Sequence, residues 1–199
     1  MAIVFTSGST GTPKGVVWSQ ALFRAQVESV QAMLEMKPGI TQVQCFAAFA
    51  IQDICWGQTC VIPKMNLAKP ATAKPADIVA AIQKNQADYA FASPIVWINT
   101  GPYCHETGTT LHCLTKAVTT GAPIPVHVHE QYRDILAAGT QFWTPYGATE
   151  AIPVSHIATD EILSDTHAQT KQGAGTCVGW PAKGADVRIM RITEDAVST

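Results

Sequence analysis

The feature that most constrains this chain is a glycine loop held between two short apolar runs near its start. Ala2-Ile3-Val4-Phe5 and Val16-Val17-Trp18 both have strand character. Between them lies Thr6-Ser7-Gly8-Ser9-Thr10-Gly11-Thr12-Pro13-Lys14-Gly15. Strand, glycine loop and strand make a hairpin with a long tip. The glycines leave the backbone free to turn its N–H groups toward an anion, the hydroxyls add donors, and Lys14 adds a charge. One reading is a polyphosphate cradle. The other is a flexible Ser/Thr/Gly hairpin loop, which the same composition serves as well. A Walker loop does not fit. Pro13 stands where that motif needs glycine, Gly15 follows the lysine in place of Ser or Thr, and Val16–Trp18 predicts a strand where a helix should open.

Downstream, hydrophobic spacing predicts a helix over Gln20–Met36, with Phe23, Val27, Val30 and Leu34 on one stripe, Ser19 as N-cap and Pro38-Gly39 as the stop. Residues 44–61 are apolar and buried but show no clear period. Lys64–Lys74 is a surface connection rich in Pro, Lys and Ala. An alternation follows: helix Pro75–Gln86, strand Ala87–Ala92, helix Pro94–Tyr103, strand Leu114–Thr120, helix Pro125–Ala138 and strand Gln141–Trp143. Helices and short strands in turn specify an α/β fold, a layered sheet flanked by helices. Ala185–Ile192 alternates like a further strand.

Thr144-Pro145-Tyr146-Gly147-Ala148-Thr149-Glu150 continues the strand Gln141–Trp143. Ligands of open α/β sheets bind at the carboxyl ends of strands, so this is a candidate site. Tyr146 can stack on a purine, Gly147 lets a base approach the backbone, and Thr149 offers a hydroxyl to a phosphate. Glu150 is a lone carboxylate among apolar residues, suited to Mg²⁺ held jointly with substrate phosphates. The competing reading is a capped helix start, with Thr149 as cap and Glu150 in the first turn. Gly121-Ala122-Pro123 at the end of Leu114–Thr120 gives room for a flat ring or an acyl carbonyl, or is a plain strand-to-helix turn. Cys104-His105, His112-Cys113, His127 and His129 could gather a zinc ion, but their spacing matches no zinc knuckle and also suits a surface loop. The other cysteines, in a chain without a Cys-x-x-Cys pair, are expected as free buried thiols.

Taken position by position, Thr6–Gly15 resembles the phosphate-binding signature of the adenylate-forming (AMP-binding) superfamily of acyl-CoA synthetases, peptide-synthetase adenylation domains and luciferases. Tyr146–Glu150 is similar to its second signature, Gly121-Ala122-Pro123 to the short loop before it, and Gly175–Ile192, with Val178-Gly179-Trp180-Pro181, to the segment leading toward the ribose-binding strand. Tyr146–Pro153 and Val61-Ile62-Pro63 resemble the olefin-pathway synthetases, which adenylate a long-chain β-hydroxy acid and close it to a β-lactone. The resemblance implies ATP and Mg as cofactors. It assigns Thr6, Ser7, Gly8, Ser9, Thr10, Gly11, Lys14, Gly121, Ala122, Pro123, Tyr146, Gly147 and Thr149 to the nucleotide, Lys14, Thr149 and Glu150 to catalysis, and Glu150 to the metal. It further implies a carboxylic acid substrate, a long-chain fatty or β-hydroxy acid, and a thiol or internal hydroxyl acceptor. The stretch Ala47–Gln52 corresponds to the family's acyl-gating segment, but Ala50 stands where histidine is common; Phe49, Trp56 and Trp97 are candidates to line an apolar channel or to be core. On this reading residues 1–199 are a partial adenylation domain, lacking its N-terminal part, its ribose-binding segment and its C-terminal lid domain, and inactive alone. The rival is a non-catalytic nucleotide-binding or structural α/β fragment.

Composition narrows the classes. At 47% hydrophobic and 14% charged over 199 residues, the chain is too apolar for disorder and large enough for a core without staples. A net charge of −2 disfavours a nucleic-acid partner, and no apolar run reaches a membrane span, so a cytoplasmic protein is expected. So little charge also predicts apolar surface that meets something else, and hence a possible homo-oligomer.

Overall fold

The computed structural model describes residues 1–6 and 12–190. β1 (Ala2–Phe5) and β2 (Gly15–Trp18) pair antiparallel, so the expected hairpin is present. Its neck is closed by Thr6. The Thr6 N–H donates to the Lys14 carbonyl at 2.9 Å, and its hydroxyl accepts from the Lys14 N–H at 3.1 Å. The expected phosphate contacts Ser7, Gly8, Ser9, Thr10 and Gly11 lie outside the described residues.

Helix α1 (Gln20–Leu34) starts on the expected cap: the Ser19 hydroxyl accepts from the Leu22 N–H at 3.1 Å. It ends before Pro38-Gly39 is reached. Glu35 turns left-handed at φ 52°, and the Lys116 ammonium donates to the freed Leu34 carbonyl. β3 (Thr41–Gln44) ends where the stretch without period begins, and that stretch resolves into α2 (Ala50–Cys55) and β4 (Thr59–Val61). Beyond a short 3₁₀ turn at Pro70–Thr72 come α3 (Pro75–Lys84), β5 (Tyr89–Ala92), α4 (Pro94–Thr107), β6 (Lys116–Thr119) and α5 (Val126–Ile135), close to the expected spans.

The last third departs from expectation. β7 runs over Gln141–Ala148 and returns antiparallel as β8 (Ala151–Ala158), so Thr149-Glu150 is a hairpin turn and not a capped helix start. Consecutive helical turns then cover Thr159–Ala174, and β9 (Trp180–Pro181) pairs with β8. Residues 185–190 form no strand, while Arg191 and Ile192 lie outside the described residues. Alternation alone does not make a strand where no neighbouring ladder accepts it: Ile189 is 96% exposed.

Among the described residues, seven strands form one sheet in the order β4-β3-β5-β6-β7-β8-β9, parallel from β4 through β7 and antiparallel beyond. Successive side chains of a strand point to opposite faces, and the two faces carry different cores. Ala90, Ala117 and Phe142 meet Ile78, Val96, Trp97, Val128 and Tyr132 of α3, α4 and α5. Tyr89, Phe91 and Val118 meet Val30 and Leu34 of α1 and Trp56, with Phe46, Phe49, Trp143 and Ile152 at the margin. Trp97 is therefore core and not channel: it is fully buried, its Nε1 donates to the Val118 carbonyl at 3.0 Å, and its carbonyl accepts the Tyr132 hydroxyl. Trp56 is buried as well, with its Nε1 bonded to the Val27 carbonyl. Phe49 stacks on Phe91 with ring centroids 5.1 Å apart. No helix among the described residues is long and apolar enough to cross a membrane.

On the α1 face β3 buries two polar side chains, Gln42 and Gln44, because α2 places a carboxyl above them. Asp53 is fully buried and accepts from Gln42 Nε2 at 2.8 Å and from Gln44 Nε2 at 3.3 Å. Burial pushes the Asp53 carboxyl up from 3.8 to about 6, against the opposing effect of the Cys60 and Gln44 side chains. Because the folded value lies above the unfolded one, the contribution of Asp53 to stability is present below about pH 4 and is lost as pH rises through about 6. Thermal unfolding measured from pH 4 to 7 should show this loss, and Asp53→Asn, which keeps an acceptor without the charge, should flatten it.

Candidate functional site

The site is built where β6 and β7 end. Thr119 and Thr120 lead into Gly121-Ala122-Pro123, where Gly121 takes φ 97°, a left-handed backbone that costs glycine little. The parallel ladder between the two strands stops at Val118–Trp143, yet the Thr120 hydroxyl donates to the Pro145 carbonyl at 2.7 Å and holds the loop against β7. Thr119–Pro123 and Thr144–Gly147 thus form two walls of one cleft of about 520 Å³, which brings Gly121, Ala122, Pro123, Tyr146 and Gly147 together. Tyr146 is 53% exposed, so its ring is available for stacking.

Gly147 serves a purpose the sequence did not reveal. The β7–β8 register slips between Tyr146 and Ala148, and a Cβ on Gly147 would stand 2.7 Å from the Ala151 carbonyl oxygen. Glycine is needed there for the hairpin to close, whatever ligand lies on the other side.

The third wall escaped sequence reading. Ile162, Thr166, His167 and Thr170 of the helical segment and Thr176–Val178 after it complete the cleft. The Ser155 hydroxyl ties Val178 to β8 at 2.6 Å, and Thr170 Oγ1 lies 2.8 Å from the Gly175 carbonyl. Thr159 followed by Asp160-Glu161 is a helix-start pattern that could have announced this segment.

His129 belongs to the cleft lining and not to a metal centre. Its Nδ1 lies 2.9 Å from Thr159 Oγ1, whose own proton goes to the Phe142 carbonyl, so Nδ1–H is the donor. Burial pushes this imidazole down to about 4, so it is neutral near pH 7. Among the described residues no group of three or more His, Cys, Asp or Glu side chains could hold a metal ion, which leaves the Cys104–His129 cluster unassembled.

Beyond Gly147 the hairpin turn points elsewhere. The Thr149 carbonyl accepts Trp18 Nε1 at 2.9 Å, a bond across 131 residues that fixes the glycine-loop hairpin to this turn. Trp18 is buried while Lys14 is exposed, so the hairpin is anchored at its base and open at its neck. Glu150 is exposed, takes part in none of the ion pairs among the described residues, and lines a second groove between Leu22–Ala32 of α1 and Ala151–Pro153. A free carboxylate at a turn tip suits one Mg²⁺ ligand, the remaining ligands coming from phosphate and water. Lys14 and Thr149 are in neither lining.

In an open, largely parallel α/β sheet, a cleft at the carboxyl ends of the strands is where ligands bind. Residues 1–197 match the AMP-binding enzyme family, and the chain belongs to it. It is 40% identical over 196 residues to an olefin β-lactone synthetase of Xanthomonas campestris pv. campestris, covering 98% of this chain and 34% of that protein. Identity is also 40% to an olefin β-lactone synthetase of Stenotrophomonas maltophilia, over 97% of this chain and 34% of the relative. The chain thus spans about a third of these relatives' length. In fold it is similar to the O-succinylbenzoate coenzyme A synthetase of Bacillus subtilis solved in complex with ATP and magnesium ion, with TM-score 0.73, 17% identity, and coverage of 95% of this chain and 37% of that one.

Gly147→Ala should cost about 1–3 kcal/mol, the scale of overpacking, by forcing the β7–β8 turn open. Thermal unfolding of the variant measures it, and unchanged stability would show that the turn has slack.

Proposed function

We propose that this chain is the central part of an enzyme that activates a carboxylic acid with ATP, giving acyl-AMP and pyrophosphate. The observation that carries the reading is the junction at Trp18 and Thr149, which joins the glycine-loop hairpin to the turn bearing Glu150 while Tyr146, earlier on the same strand, lines the cleft. In this reading the purine lies in the cleft between Gly121-Ala122-Pro123 and Tyr146. Thr6, Ser7, Gly8, Ser9, Thr10, Gly11 and Lys14 hold the phosphates, and the Thr149 hydroxyl meets the α-phosphate. Glu150 holds Mg²⁺, which supplies charge neutralisation at the phosphate oxygens when bound. The acid's carboxylate attacks the α-phosphorus, the P–O bond to the β-phosphate breaks, and pyrophosphate leaves with the electron pair. Lys14 steers and neutralises the departing phosphates.

The substrate we propose is a long-chain fatty or β-hydroxy acid, a reading supported by the 40% identity to relatives named olefin β-lactone synthetases. The second half-reaction would use a thiol or, in a β-hydroxy acid, the internal hydroxyl. Relatives of lower identity include a long-chain-fatty-acid–CoA ligase of Thermus thermophilus, 28% identical over 159 residues, which keeps the thiol acceptor open.

In the full-length enzyme, Glu150→Gln keeps shape and removes charge. Acid-dependent ATP–pyrophosphate exchange should fall about a hundredfold, the scale of losing one transition-state stabiliser. Near-normal exchange would remove Glu150 from the metal site. Residues 1–199 purified alone should support no such exchange, since one side of the acyl-phosphate then lacks its partners; robust turnover by them would overturn the domain assignment.

A further inference from the structure

The glycine hairpin stands apart from the main sheet. Among the described residues β1 and β2 pair only with each other. A lone two-stranded hairpin is marginally stable in water, and this one turns Ile3, Phe5 and Val17 to the surface. Apart from the chain that continues into α1, one hydrogen bond among the described residues joins it to the body of the protein: Trp18 Nε1 donates to the Thr149 carbonyl at 2.9 Å. The Trp18 indole is buried, with Phe23 beside it at 6.2 Å between ring centroids.

The acceptor belongs to a peptide group that matters. A peptide unit is planar from one Cα to the next. A bond that fixes the Thr149 carbonyl therefore fixes the plane running from the Cα of Thr149 to the Cα of Glu150. The hydroxyl assigned to the α-phosphate and the carboxylate assigned to the metal hang from the two ends of that plane. On the donor side, Trp18 ends β2, four positions from Lys14. At about 3.3 Å per residue this is a lever of about 13 Å, over which a tilt of roughly 10° moves Lys14 by about 2 Å. A misplacement of about 1 Å can cost about a hundredfold in rate. Phosphates held by the hairpin alone can follow such a tilt. Phosphates that must also share Mg²⁺ with Glu150 cannot.

We infer that Trp18 is a positioning residue: its N–H sets the Thr149–Glu150 peptide plane against the glycine hairpin, so that phosphates and Mg²⁺ are held in one geometry. Trp18 lines neither the cleft nor the groove and acts through the residues that do the holding. The inference rests on the acid-activation reading and adds to it the link between its two halves.

The test uses the full-length enzyme. Calorimetry measures ATP binding in EDTA and in Mg²⁺, and ATP–pyrophosphate exchange is followed with a long-chain 3-hydroxy acid and the plain acid of equal length. Mg²⁺ should tighten ATP binding to the unsubstituted enzyme by at least about tenfold, an ordinary coupling between two sites. Trp18→Phe keeps a ring beside Phe23 and removes the N–H. Its affinity for ATP in EDTA should stay within about threefold, while the tightening by Mg²⁺ should fall to within about threefold of unity. Its kcat for exchange should fall at least about tenfold. If Trp18→Phe does not fold, replacing the indole by benzothiophene, which keeps the shape and lacks the N–H, carries the same expectations. Tightening and kcat that survive loss of the N–H overturn the inference. So does binding weakened by one factor in both solutions, the mark of a purely structural role. Mg²⁺ that leaves ATP affinity unchanged in the unsubstituted enzyme overturns it as well, while exchange by that enzyme still upholds acid activation. Exchange with neither acid overturns acid activation itself.

Discussion

Everything functional in this structure depends on the two different pairings of β7. On one side it continues the parallel ladder through β6; on the other it turns back antiparallel into β8. The parallel side stops at Trp143, but the antiparallel side carries β7 on to Ala148, past the end of its neighbour. That overhang lifts Tyr146 and Gly147 above the sheet edge and leaves a cleft beside them. The base of the strand is correspondingly well fixed. Phe142 packs edge-on to Trp97 at 5.3 Å and against Tyr132 at 5.2 Å, while Trp143 faces the α1 side.

Once the strand overhangs, the parallel ladder to β6 no longer holds its exposed side, and side chains bonded to carbonyls take over. Thr120 holds the β6 loop to Pro145, Ser155 holds the far wall at Val178, and Trp18 holds the glycine-loop hairpin to Thr149. Each bond is worth about 1 kcal/mol net. Their value is positional: they set the spacing between walls that belong to segments far apart in the chain. His129 does the same from below, joining α5 to Thr159 and through it to Phe142.

Much of the fold was legible because its helices are amphipathic and its central strands short and bounded by turn residues. Ser19 before the Phe23–Leu34 stripe and the prolines opening α3 and α4 mark starts by local chemistry alone. β3, which leads into residues 44–61, was not legible because it is buried on both faces while carrying glutamines, whose burial makes sense only once Asp53 stands over them. The β7–β8 hairpin was hidden for a related reason. Thr149-Glu150 has the residue types of a helix start, and only the pairing of Ala148 with Ala151 turns it into a strand reversal.

The sequence by itself determined the family and the local chemistry of the glycine hairpin, the Gly121-Ala122-Pro123 loop and the Tyr146–Glu150 run. Those follow from residue type and order, which act at short range. Tertiary structure alone decided which of these meet. It placed Gly121–Pro123 and Tyr146–Gly147 on one cleft, turned Glu150 to the groove beside α1, and supplied a third wall from residues 162–178. Trp97 shows the same division: its size favoured core without excluding a channel, and the sheet face on which α4 packs made it core. Such outcomes depend on strand register and on which helix covers which face. Both arise from packing between segments separated by some twenty residues, as between Trp97 and Val118, to more than a hundred, as between Trp18 and Thr149, which no local pattern encodes.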